Sequence, residues 1–266
     1  MAGFFSKLMG KAGSATEPTP GASAPSFDTV VPGSTDPFDA DLGQATEGQQ
    51  VIYQVASVLM RYPDTEIQAL IPELRQLAQE VGETPLVEAI DDVAHWYESA
   101  PMEDVAASYV QEYDLSRRHS FHLSYWTEGD TRRRGEALTR FKKMYRDSGM
   151  VTNLHGELPD YLPLVLEFTA LVDSRAGRAS LQAYRPSLEL LRLALRDDNL
   201  AFHKLVECIC DSLPGESPQT AQEIQKLARA TPPAESVGLD PTDPRLLPLL
   251  QPAPVPSSLT EVSTRS

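Results

Sequence analysis

From Gly48 to Leu213 the large apolar residues recur three and four positions apart, the spacing of one face of a helix and not of a strand. Val51, Val55 and Leu59 repeat every four residues; Leu138, Phe141 and Tyr145 fall at i, i+3 and i+7. Leu188, Leu191 and Leu195 do the same, with Arg192 and Arg196 expected to face outward. Start and stop signals agree with this spacing. Asp64 and Thr65 precede EIQALIPELRQLAQEV, which Gly82 is expected to end, and Asp130 and Thr131 precede a further basic-faced segment. Pro72 is expected to kink the first of these helices or split it in two. No Asn-Gly or Asp-Gly joins two alternating β-branched runs; only SFHLSYW alternates, and it suits a helix equally. The expected fold is therefore all-α, a single globular domain of about eight to eleven helices with no repeat of solenoid period.

The ends of the chain read differently. The 22 prolines are densest there. Residues 12–46 are mostly Gly, Ser, Ala, Thr, Pro and Asp, too poor in large apolar groups to offset the entropy of ordering. Residues 1–47 are thus expected to form a disordered tail, 48–213 the helical domain, 214–230 a short helical or linker segment, and 231–266 a proline-rich tail. Within the last of these, LLPLLQP, Leu246 to Pro252, is an apolar island that could fill an apolar groove on the domain.

Charge and cysteine content exclude several function classes. A formal charge of −15 repels a nucleic-acid backbone and steers a basic peptide inward. Cys208 and Cys210 are too few and too close to staple a fold, as in a reducing compartment. Lys7 and Lys11 interrupt the apolar start, so it lacks a signal peptide's core, and no run of 18 apolar residues occurs. A soluble, cytoplasmic protein without membrane insertion is expected.

The stretch NLHGELPDYLPLVLEF, Asn153 to Phe168, concentrates a histidine, three carboxylates and two prolines. His155 and Glu157 form H-x-E, the ligand and acid/base pair of zinc deaminases, but the P-C-x-x-C that chemistry requires is absent. Cys208 and Cys210, two apart on a helix, diverge by roughly 200° and read as core residues in LVECIC. His119 and His122 have no carboxylate at matching spacing and read as packing and hydrogen-bonding residues. Phosphate-loop, dinucleotide, zinc-protease and nucleophile-elbow motifs are missing. No catalytic residue, metal site or cofactor is expected; a metal-dependent hydrolase or deaminase using His155 and Glu157 is the enzyme alternative, and a helical adaptor the other. Asp160 is read as the N-cap of a helix running from Tyr161 to about Val172, with Pro163 at its third position. Tyr161 at that helix mouth, with Tyr125 and Trp126, could receive a basic, apolar peptide.

Three motifs carry a resemblance. They are Y-x-x-x-[FY]-D at Tyr109, Tyr113 and Asp114; R-G-x-A-L at Arg134 to Leu138; and E-L-P-D-x-L-P-x-x-L-E at Glu157 to Glu167. The segment from Tyr109 to Val172 resembles the NarJ family, the delta subunit or molybdenum-cofactor assembly chaperone of respiratory nitrate reductase. This family lies within the wider set of TorD/DmsD-like chaperones. The resemblance extends more loosely from Val51 to Leu213. It implies a cytoplasmic, non-catalytic chaperone that binds the N-terminal segment of the nitrate reductase catalytic (alpha) subunit, alone or in the alpha-beta complex. Such a chaperone holds the apo-enzyme competent for molybdenum cofactor insertion before membrane docking, and works alongside cofactor-delivery proteins. By the same resemblance the peptide site comprises Glu157, Pro159, Asp160, Tyr161, Tyr113, Asp114, Leu123, Tyr125 and Trp126. The family commonly has histidine where this chain has Tyr161, and a phenol does not titrate near pH 7.

Overall fold

The Val51, Val55 and Leu59 stripe belongs to a helix buried on every side. Helix α1, Glu47–Leu59, is capped by Thr46 in a reciprocal arrangement with Gln49, and every residue from Val51 to Met60 is buried. From Val51 on, the helix is apolar on every face apart from the buried Gln54 and Ser57, the pattern of a core helix rather than a surface one. The computed structural model describes residues 37–129, 132–149, 154, 156–220 and 222–224, all within one compact unit. Asp130, Thr131, His155 and the two ends of the chain, LLPLLQP included, lie outside the described residues.

Around α1 stand α2 (Thr65–Glu80), α3 (Thr84–Glu98), α4 (Met102–Tyr109), α5 (Leu123–Glu128), α6 (Arg132–Asp147), α7 (Leu162–Leu171), α8 (Ser174–Ala183), α9 (Arg185–Asp197) and α10 (His203–Asp211). No strand occurs among the described residues. Helix α1 packs on α7, α2 and α10; α3 closes over α2 and α10; α9 lies on α10, α8 and α5. Helix α2 starts where Asp64 accepts from the Ile67 N–H at 2.7 Å and ends before Gly82, which has φ +75°. Of the two outcomes expected of Pro72, a kink or a split, the split does not occur: Thr65–Glu80 is one helix with Pro72 inside it. The proline lies on the exposed face, where the Gln68 carbonyl it deprives of a donor can turn to water.

Helix α8 crosses α7 at a glycine. A Cβ on Gly177 would lie 2.7 Å from the Thr169 Cα, closer than carbon atoms can approach. Gly177→Ala is expected to cost about 1–3 kcal/mol by overpacking, read as a lower urea midpoint at unchanged slope.

Both margins of the domain extend past the limits read from composition. Phe38 packs edge-on to Phe141 and Tyr184, and Arg178 donates to the carbonyls of Leu42, Gly43 and Gln44. Residues 37–46 are therefore part of the domain. On the other side, Leu213 to Gln219 form a strap over α9. Arg185 donates to the carbonyls of Leu213, Pro214 and Gly215 at 2.7–3.1 Å, and Arg192 donates to that of Pro218. Between the two guanidiniums lies Glu189, fully buried, 3.1 Å from Arg185 and 2.7 Å from Arg192. Arg192 is thus not turned outward as its spacing suggested, whereas Arg196 is exposed. The reason is the strap, whose carbonyls replace water around the cation.

Glu189→Ala would leave two buried cations without their counter-charge. A loss of about 3–5 kcal/mol is expected, measured by chemical denaturation, with the larger share recovered when Arg185 and Arg192 are also replaced by apolar residues.

Cys208 and Cys210 are both core residues on α10. Burial pushes the Cys208 thiol up to about 12 and the Cys210 thiol well up. Among the described residues no helix is long and apolar enough to cross a membrane.

Candidate functional site

Helix α4 ends at Tyr109 and passes into a π-helical turn, Val110–Asp114, closed by the Leu115 N–H donating to the Val110 carbonyl at 2.9 Å. Such turns are uncommon and often mark functional places. Here the turn sends Tyr109 and Tyr113 into one aromatic cluster. The two rings lie 5.1 Å apart, Tyr113 stacks on Phe121 at 5.0 Å, and Phe202 of the α10 approach meets Tyr113 at 4.9 Å. The Tyr109 hydroxyl leaves the cluster to donate to the Met60 carbonyl at 2.8 Å, and lies 3.2 Å from the Tyr161 hydroxyl. One phenol therefore joins the end of α1 to the start of α7.

SFHLSYW is neither strand nor wholly helix. His122 and Tyr161 form a single antiparallel bridge: Leu162 donates to the Phe121 carbonyl at 2.8 Å and Leu123 to that of Asp160 at 3.1 Å. Helix α5 begins at the next residue. Its cap comes from across the bridge, because Asp160 accepts from the Ser124 N–H at 3.1 Å and from the Ser124 hydroxyl at 2.5 Å. The N-cap of α7 is consequently Tyr161, not Asp160 as expected, and Pro163 falls at its second position rather than its third. The bridge turns the Asp160 side chain away from its own helix.

Asp160 is fully buried, with His122 Nδ1 3.4 Å from its second oxygen. Burial alone would raise its pKa, but the His122 ring and the Ser124 donors outweigh burial and hold the carboxyl below its ordinary value. A carboxylate with a depressed folded pKa stabilises the fold above its unfolded pKa of about 3.9, and that contribution disappears as pH falls through the folded value. Asp160→Ala is accordingly expected to cost about 3 kcal/mol at pH 7 and to show a shallower loss of stability as pH falls below about 4 in acid titrations followed by circular dichroism.

Tyr161 is partly exposed, and burial of its hydroxyl raises its pKa to about 12, with Glu157 and Asp114 adding to the rise. It stays a neutral hydrogen-bonding group throughout the physiological range. An open groove of about 490 Å³ runs between the α1–α2 connection and α4. Tyr62, Pro63, Met102, Ala106 and Val110 give it an apolar floor and wall, and Asp64 and Glu103 stand at its edge. Tyr62 is 54% exposed, unusual for a large aromatic ring, and its edge meets Tyr109 at 5.8 Å. Arg61, next in the chain, is held by Glu167 of α7 at 2.8 Å. Tyr109, which meets both the Tyr62 ring and the Tyr161 hydroxyl, links the groove to Tyr161.

Of the site residues read from sequence, Tyr113, Leu123, Pro159 and Asp160 are buried and act as framework. Asp114, Glu157, Tyr161, Tyr125 and Trp126 retain exposed surface. Tyr125 and Trp126 are fixed on α5, the former beneath Arg134 at 5.6 Å and the latter donating to the Ser120 carbonyl at 2.9 Å; the ring that packs beside Tyr161 is instead His122, at 5.5 Å. The groove residues were not anticipated, since Tyr62 and Met102 belong to separate segments joined only by folding. His119 is buried, with Nε2 2.8 Å from Asp198 and Nδ1 3.1 Å from the Glu112 carbonyl, so its role is to brace the loop. Among the described residues no group of three His, Cys, Asp or Glu side chains could hold a metal ion.

Residues 64–205 match the family model described as nitrate reductase delta subunit. Over 170 residues the chain is 36% identical to the nitrate reductase-like protein NarX of Mycobacterium tuberculosis, a match covering 64% of this chain and 25% of that protein. It is 29% identical over 171 residues to the probable nitrate reductase molybdenum cofactor assembly chaperone NarJ of Bacillus subtilis, covering 63% and 91% respectively. A 31% identity over 134 residues relates it to the nitrate reductase molybdenum cofactor assembly chaperone NarJ of Escherichia coli, covering 49% and 56%. The matched part thus spans a quarter of the first relative and nearly all of the second.

Proposed function

Because the chain belongs to the nitrate reductase delta subunit family, we propose that it is an assembly chaperone for a respiratory nitrate reductase. In this reading it binds the N-terminal segment of the catalytic subunit in the cytoplasm and keeps the apo-enzyme competent to receive its molybdenum cofactor before membrane docking. It performs no chemistry itself. The single observation that best supports peptide binding is the open apolar groove with exposed Tyr62, lined also by Asp64 and Glu103. Apolar side chains of a peptide would enter the groove and shed water, while basic residues flanking them would meet the carboxylates. The overall charge of −15 would speed the encounter with such a segment.

The buried members of the sequence-read site would act indirectly. Asp160, Tyr113, Leu123 and Pro159 would hold Tyr161 in place, and Glu157 and Asp114 would supply charge at the surface.

Calorimetric titration of the full chain with a synthetic peptide covering the N-terminal segment of its organism's own catalytic subunit tests the reading. One-to-one saturable binding is expected, weakened about tenfold by Tyr62→Ala, less by Tyr161→Phe, and progressively by added salt. Absence of binding by folded protein, or binding indifferent to Tyr62→Ala, would overturn the placement of the site.

A further inference from the structure

We propose that the groove has an occupant within the same chain: the segment Leu246 to Pro252, LLPLLQP, docks between Tyr62 and α4 and competes with any external peptide. The competition rests on the function proposed above, but the docking does not. Three observations carry it.

The first is chemical fit. The groove is apolar, is walled by an aromatic ring and a proline, and carries Asp64 and Glu103 at its edge. The segment presents Leu246, Leu247, Leu249 and Leu250 with Arg245 immediately before them. Pro248 and Pro252 favour an extended polyproline conformation, with three residues per turn, which places Leu247 and Leu250 on one side and Leu246 and Leu249 on the next. Aromatic-lined grooves are the usual receptors for such segments, because little conformational freedom remains to be lost on binding.

The second is isolation. From Thr231 to Ser266 the chain is rich in proline and small polar residues, and this is its one cluster of four leucines. Such an apolar island in water gains from any apolar surface within reach.

The third is reach. The last described residue is Ile224, which is buried against the domain and so fixes the tether's origin. The roughly 22 residues from there to Leu246 can extend at most about 75 Å, whereas a domain of this size has a radius of gyration near 16 Å. Every part of the surface is within range. A tether of this length sets an effective concentration on the order of millimolar, so even a weak contact is appreciably populated. A segment with an intrinsic dissociation constant about tenfold below that value would weaken the apparent affinity of an external peptide about tenfold.

The test uses the full chain carrying Ser257→Cys with a nitroxide spin label, the native Cys208 and Cys210 being buried and unreactive. The methyl resonance of Met102, in the groove wall, is the reporter. Broadening of this resonance by the label is expected, independent of protein concentration, and lost when Leu246, Leu247, Leu249 and Leu250 are all changed to serine. No broadening, or broadening that survives the leucine changes, overturns the docking. Broadening that appears only at high concentration assigns the groove to a second copy's tail and overturns it as well. In calorimetry the same leucine variant should bind the catalytic-subunit peptide about two- to tenfold more tightly. If the resonance result holds and no external peptide binds, the docking stands and the chaperone reading fails.

Discussion

The hydroxyl of Tyr109 is the contact on which the architecture of the candidate site depends. It sits at the centre of an aromatic cluster, yet its one polar atom reaches the last turn of α1 and the first residue of α7. Buried hydroxyls need partners, and this one satisfies its need with groups far apart in sequence. Fixing Tyr109 therefore fixes Tyr161, the bridge to His122, and the wall against which Tyr62 leans. Tyr113, four residues on within the π-helical turn, joins the same cluster.

Two carboxylates among the described residues are buried completely, and each organises a different margin. Asp160 caps α5 from across a two-residue bridge, so that the loop holding Pro159 and the start of α7 form one unit. Glu189 neutralises two arginines whose remaining donors hold the strap from Leu213 to Gln219. In both, the charge is tolerated because its hydrogen-bonding capacity is filled from distant segments. Membership of the nitrate reductase delta subunit family accords with such a scaffold, a helical frame that carries an open groove with Tyr62 in its wall.

Helix content, the α2 boundaries and the core placement of Cys208 and Cys210 were legible because each depends on neighbours within a few residues. Asp64 caps its own helix and Gly82 ends it, and both are visible as local signals. The motifs that carry the family resemblance were legible for the same reason. By contrast, Asp160 looked like a local cap and is a distant one, and Arg192 looked exposed and is enclosed. In each case the deciding partner, Ser124 or the Pro218 carbonyl, lies too far along the chain for periodicity to report.

By itself the sequence determined an all-helical fold, its acidic character and its family, since spacing, composition and motif are properties of adjacent residues. Only the tertiary structure decided that residues 37–46 belong to the domain, that α1 is enclosed from Val51 onward, and that Tyr62, Met102 and Val110 meet to form a groove. Those outcomes follow from which helices share faces. That choice is made by packing and by the need to satisfy buried polar groups, both of which join residues that the linear order keeps apart.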